Sequence, residues 1–183
     1  MKIKKLSLDG PFIIEPKIFH DKRGFLYESW NQETYLKKKL KIKIIQITYA
    51  RSKKNVLRGI HVQYPNLQGK LISVVNGKIF DVVVDVRKNS PSFGKWCGVI
   101  LDSKKKSNLW IPEGFGHGYL VLTKEADILY SSTKKYFPKN QIDIKWNDPF
   151  ININWPIKKP ILSKKDTQAL ELKKIKSLPK WKK

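Results

Sequence analysis

The chain has 183 residues, with 38 Lys plus Arg against 15 Asp plus Glu, for a formal charge of +23 at pH 7. That length suits a single domain, and 40% hydrophobic with 11% aromatic residues supplies a core and excludes a disordered chain. No apolar run approaches the ~18 residues of a membrane span, the N-terminal MKIKKLSLDGPF lacks an export signal's apolar stretch, and the lone Cys97 excludes an internal disulfide or a multi-thiolate zinc site. The expectation is a cytoplasmic protein with no membrane partner.

Residues 1–30 read as short extended pieces, with the turn DKRG leading into FLYESW. A helix is predicted over Gln32 to Leu40, opened by Asn31 as N-cap. From Ile42 to Tyr136 short β-branched or aromatic strands follow one another, among them IKIIQITYA, LRGIHVQ, KWCGVILD, HGYLVLT and ADILYSST. Asn76-Gly77, between LISVV and KIFDVVVDV, predicts a tight hairpin. Strands at this spacing without helical crossovers predict an antiparallel double-sheet jelly roll. From Phe137 the chain is Pro- and Trp-bearing loop, then a short basic helix over about Lys165 to Ile175. No repeat or linker divides the chain, so residues 1–183 are expected to form one domain.

The charge points weakly to nucleic acid. Only Arg23, Arg51, Arg58 and Arg87 are arginines, whereas nucleic-acid readers favour the bidentate Arg fork. The Lys excess sits in runs such as KKKLKIK (37–43) and the tail 158–183, expected to be solvated faces. So positive a field still attracts polyanions, a nucleotide diphosphate included.

Three histidines are available for chemistry. His20 lies beside Asp21 in a turn, and His117 in the glycine-rich IPEGFGHGYLVL. His61 lies within LRGIHVQ, where strict alternation puts Arg58, Ile60 and Val62 on one face and Gly59, His61 and Gln63 on the other. With Arg58, Gln63 and Lys70 nearby, His61 belongs to a polar set that is costly to bury unless a ligand answers it. No G-x-G-x-x-G or Walker pattern is present, so no nucleotide cofactor is implied.

The segments DKRGFLYESWN, VLRGIHVQ, QGKLISVVNGKIFDVVVDVR, LWIPEGFGHGYLVL, WNDPFININWP and ILSKKD, ordered from Asp21 to Asp166, resemble the dTDP-4-dehydrorhamnose 3,5-epimerase family. The resemblance implies an all-β cupin jelly roll (a double-stranded β-helix) with a few short peripheral helices. It implies a homodimer with the strands of residues 1–30 at the interface, and a basic C-terminal helix or tail over 158–183. The expected substrate is a nucleotide-linked 4-keto-6-deoxyhexose, inverted at C3 and C5 with no cofactor, no metal and no nucleic-acid partner. The 4-keto group acidifies the flanking C–H bonds, so inversion needs a base, an opposed acid and a stabiliser for the enolate. By resemblance these are His61 with Asp166 on its other ring nitrogen, Tyr130, and Lys70. Arg58, Lys165 and His117 are expected at the diphosphate. Arg23, Glu28, Gln46, Thr48 and Gln141 are expected to read the nucleotide base and sugar, Arg23 and Glu28 partly across the dimer.

The sequence also departs from the family's pattern. Gln46-Ile47-Thr48 stands where Q-D-N is common, Val62 replaces an aromatic, Gln141 replaces the glutamate of Y-x-P-x-x-E, and Ser131 stands where Lys is frequent. A C3-only epimerase, or one for a different 4-keto nucleotide sugar, therefore stays open, as does a ketoisomerase using His61 with His117. From another class, a non-catalytic basic cupin binding module would not require His61, Asp166, Tyr130 and Lys70 to converge. Metal-binding cupins use H-x-H, and here His61-Val62-Gln63 supplies one imidazole.

Overall fold

A computed structural model describes residues 1–181. Its strands are β1 (Lys2–Lys5), β2 (Phe12–Glu15), β3 (Ile18–Asp21), β4 (Gly24–Tyr27), β5 (Gln46–Lys53), β6 (Leu57–Gln63), β7 (Lys70–Asn76), β8 (Lys78–Asp85), β9 (Trp96–Asp102), β10 (Asn108–Ile111), β11 (Phe115–Val121), β12 (Glu125–Ser132) and β13 (Gln141–Asp143). The helices are α1 (Gln32–Lys37) and α2 (Lys164–Thr167). Two antiparallel sheets, in the orders β1-β2-β10-β7-β12-β5 and β13-β6-β11-β8-β9, face each other as a jelly roll, with β3-β4 a separate hairpin.

Three apolar layers hold this together. Ile72, Val74, Leu109 and Ile128 of the first sheet meet Ile79, Val83, Leu101, Phe115 and Val121 of the second across the central core. The outer face of the second sheet, through Ile60, Val62, Val82 and Val84, is covered by Ile144, Ile151, Trp155, Leu172 and Leu178 of the C-terminal segment. Tyr35 of α1 and Ile42 cover Ile14, Leu71 and Trp110 on the outer face of the first sheet. Because β8 is sandwiched between two such layers, its run Val82, Val83 and Val84 is apolar without alternating.

Local signals and tertiary structure disagree in three places. Asn31 does cap α1, accepting the N–H groups of Glu33 and Thr34, but the helix ends at Lys37, short of Leu40. Asn76-Gly77 does not close a hairpin: β7 pairs with β10 and β12, and β8 with β11 and β9, so the turn passes the chain from one sheet to the other. Gly77 has φ +76° there, and a Cβ on it would stand 2.2 Å from the Glu125 carbonyl. The predicted basic helix is α2 followed by a separate 3-10 turn, Leu172–Lys174. Between them Leu170 O accepts from Lys145 N (2.9 Å) and Leu172 N donates to Asp148 Oδ2 (2.6 Å), so tertiary bonds take the groups that a continuous helix needs.

Candidate active site

The mouth of the jelly roll holds a cavity of about 450 Å³. Its first functional strand is β6, and a bulge corrects the simple alternation expected there. His61 pairs with His117 of β11, yet Arg58 pairs with Tyr119, so three residues on one strand span two on the other. The shift falls at Gly59, whose φ of +114° and 2.6 Å clearance from Gly118 Cα and His117 O admit only glycine. Arg58 consequently lines the same cavity as His61, while Ile60 stays in the outer core and Val62 packs there as it borders the cavity. Arg58 is anchored by Nε donating to Ser52 Oγ at 3.0 Å, and Ser52 in turn lies 3.2 Å from the Tyr119 hydroxyl.

His61 Nε2 lies 2.6 Å from Asp166 Oδ1. Ser163 caps α2 and holds that carboxylate, accepting the Asp166 N–H and donating Oγ–H to Oδ2 at 2.7 Å. Burial pushes the Asp166 carboxyl up, but its bonds to His61, Ser163 and the Gly59 N–H outweigh this and bring it below the ordinary carboxylate value. An ionised carboxylate only accepts, so Nε2 carries the proton and Nδ1 keeps a free lone pair.

Tyr130 on β12, paired with Thr48 of β5, lines the same cavity. Burial, reinforced by the neighbouring Tyr119, pushes its phenol well above the ordinary value, so it is a neutral donor at neutral pH. Its ring packs edge-on to His117 at 6.1 Å between centroids. His117 Nε2 is bonded to the fully buried Asp81 at 2.7 Å, and Asp81 Oδ2 has no hydrogen-bond partner among the described residues. Lys70 on β7 has no carboxylate in ion-pair distance among the described residues; its one bond is a 3.4 Å contact to Gln68 O. Burial lowers its ammonium from 10.5 to about 8.

Gln46, Thr48, Gln141 and Lys165 also border the cavity. Gln46 Nε2 donates to Thr48 Oγ1 and its Oε1 accepts Tyr136 N–H, whereas the Tyr136 hydroxyl donates to Gln141 Oε1. Arg23 and Glu28 lie elsewhere. Arg23, in the β3-β4 turn, is paired with Asp21, and Glu28 accepts from Asn31 Nδ2 beside a separate depression lined by Met1, Ile14 and Tyr35. Ser52, Tyr119, Asp81 and Asp143 are site residues that the motifs did not single out. Asp143 on β13 is the strand partner of His61, and β13 itself lay in what the sequence presented as loop.

Counting only His and Cys missed one grouping: His61, Asp143 and Asp166 bring donor atoms within 4.8 Å of one another. The short Nε2–Asp166 bond commits the imidazole proton to Asp166, so the trio reads as a hydrogen-bonded base.

A jelly roll presenting an imidazole–carboxylate pair, a phenol and a free cation in one cavity places the chain in the class of cupin-fold isomerases. The profile of the dTDP-4-dehydrorhamnose 3,5-epimerase family matches residues 5–174. The Salmonella typhimurium dTDP-4-dehydrorhamnose 3,5-epimerase is 47% identical over 174 residues, covering 92% of this chain and 94% of that one. Legionella pneumophila RmlC, a dTDP-6-deoxy-D-glucose-3,5-epimerase solved with dTDP-4-keto-L-rhamnose, superposes with TM-score 0.95 at 43% identity, covering 100% and 99% of the two chains. ChmJ of Streptomyces bikiniensis, a 3'-monoepimerase solved with dTDP-quinovose, superposes at 0.90 with 33% identity over 97% and 92%. The chain belongs to the dTDP-4-dehydrorhamnose 3,5-epimerase family.

Proposed function

We propose that the chain inverts C3 and C5 of dTDP-4-dehydro-6-deoxy-D-glucose to give dTDP-4-dehydro-L-rhamnose. The observation that carries this reading is the convergence of the His61–Asp166 pair, Tyr130 and Lys70 on one cavity. A binding module would have no use for that convergence. His61 Nδ1 removes the proton from a carbon beside the keto group, and Asp166 stabilises the resulting imidazolium. The enolate oxygen gathers negative charge next to the Lys70 ammonium, and Tyr130 delivers a proton to the opposite face. Each inversion thus removes one carbon-bound hydrogen and installs one from solvent-exchangeable groups. Arg58, Lys165 and His117 bind the diphosphate; Gln46, Thr48 and Gln141 read the sugar and base. No step calls for a cofactor.

The proposal includes a homodimer. β5 is an edge strand, and its pattern is inverted: Gln46, Thr48 and Ala50 face the cavity, while the intervening Ile47 and Tyr49 are 65% and 55% exposed. Phe25 and Leu26 of β4 are also exposed. An unpaired apolar edge of this length calls for a covering chain. A second copy supplies it, with residues 1–30 at the interface carrying Arg23 and Glu28 to the partner's cavity. Residues 1–183 act as one domain with 158–183 as its basic tail, in the cytoplasm, where nucleotide-activated sugars are made.

Incubating the protein with dTDP-4-keto-6-deoxyglucose in D₂O tests the reading. Two ring hydrogens, at C3 and C5, exchange for deuterium. Exchange at C3 alone selects the monoepimerase activity named for the Streptomyces bikiniensis relative, and none at either carbon contradicts the proposal.

A further inference from the structure

Asp143 has no part in the reaction as set out above, yet it stands against the base. β13 runs antiparallel to β6 with Asp143 opposite His61. Ile60 and Ile144 exchange both backbone hydrogen bonds, at 3.1 and 2.8 Å. The next pair along, His61 and Asp143, is therefore a non-hydrogen-bonded pair, in which facing side chains approach most closely. Asp143 Oδ1 lies 3.4 Å from His61 Nε2, a nitrogen already bonded to Asp166 at 2.6 Å. Gln141, two residues back on the same face, donates Nε2–H to Asp143 Oδ1 at 2.5 Å and accepts from the Tyr136 hydroxyl at 2.8 Å.

We propose that Asp143 is a positioning residue, a second carboxylate that stabilises the His61 imidazolium formed during proton abstraction, and that position 141 is an amide in order to hold it there. The proposal deepens the epimerase reading and rests on it. A glutamate at 141, as the family pattern has it, would set two carboxylates oxygen to oxygen at hydrogen-bond distance, where both cannot stay ionised. Glutamine removes that repulsion and supplies the donor. The departure at Gln141 and the acid at Asp143 then form one unit, with the negative charge carried two residues along the strand to the place opposite the base. The charge has work there. Around His61 stand Asp166 and Lys165 of α2, Lys70 of β7, Tyr130 of β12, His117 of β11 and Arg58 of its own strand. Three of these are cations that oppose a protonated imidazole; of the carboxylates that answer them, Asp81 of β8 is bonded to His117, and Asp166 and Asp143 face His61 itself.

The variant Asp143→Asn keeps the size of the side chain and an oxygen to accept from Gln141, and loses the charge. NMR titration of the His61 ring, with chelator present, reads the effect without substrate. The midpoint in D143N falls about one pH unit below that of the unmodified protein. In kinetics, the acid limb of kcat/KM moves down by the same amount and the limiting kcat falls about three- to tenfold, while KM changes less than twofold. Gln141→Glu is also impaired, by repulsion of Asp143. A His61 midpoint unchanged in D143N overturns the proposal, as does a KM rise with kcat intact, which would make Asp143 a substrate contact. A lowered midpoint in a protein that exchanges no sugar hydrogens upholds the electrostatic pairing and counts against the epimerase reading.

Discussion

At the scale of single residues, the site works by giving like groups unlike surroundings. Lys70 and the surface lysines share a side chain, but Lys70 lies half-buried in the cavity with no carboxylate in ion-pair distance among the described residues, and desolvation lowers its ammonium to about 8. Only the charged form stabilises an enolate, so this contribution is complete below pH 8 and disappears as the pH rises through it. The account predicts a basic limb near pH 8 in kcat/KM for the free enzyme. It also predicts that Lys70→Met loses that limb together with about 10²-fold in kcat. A flat profile from pH 7 to 9.5 in the unmodified protein would separate Lys70 from the chemistry. His61, Asp166, Tyr130 and Lys70 were legible in the sequence through the family resemblance, which pointed to each of them, and the structure brings all four to one cavity. Asp81, Ser52, Tyr119 and Asp143 were not. Their roles come from what lies across a strand pair or beneath a ring, and neighbours in space leave no mark in linear order.

At the scale of elements, the bulge in β6 matters most. Alternation predicted Arg58 facing away from His61, and the extra residue at Gly59 turns it to the same side. Period-2 reasoning has no means of seeing a bulge, although the glycine between the arginine and the base was a signal available in the sequence. Gly59→Ala would force a Cβ to within 2.6 Å of the β11 backbone at a positive φ. It is expected to cost about 3 kcal/mol of stability, read by denaturant unfolding; a loss under 1 kcal/mol would mean that the strand pair yields easily there. The Asn-Gly turn and the C-terminal helix failed for the opposite reason. Their local signals were sound, and the choice was made elsewhere, by sheet partners in one case and by Asp148 and Leu170 in the other.

At the scale of the whole molecule, the charge of +23 describes the surface more than the site. Arg58, Lys70 and Lys165 are the cations bordering the cavity, and in the proposed reaction this handful meets the diphosphate and the enolate. Apart from β13, the strands and their order of appearance were readable from composition and turns, because a jelly roll's antiparallel strands are punctuated locally. The apolar outer edge of β5 was harder to see, since exposure becomes visible only once the sheet is assembled. If a second copy covers that edge, Ile47→Lys yields a monomer in sedimentation and lowers turnover of the nucleotide sugar at least tenfold. A variant that stays dimeric and active would place the interface elsewhere.

The central claim is that one imidazole, held by Asp166, removes the carbon-bound protons. It is tested most directly by following C3 and C5 hydrogen exchange of dTDP-4-keto-6-deoxyglucose in D₂O with His61→Ala beside the unmodified protein. The account predicts exchange at both carbons in the unmodified protein and at neither in the variant. Undiminished exchange by a folded His61→Ala protein would contradict it.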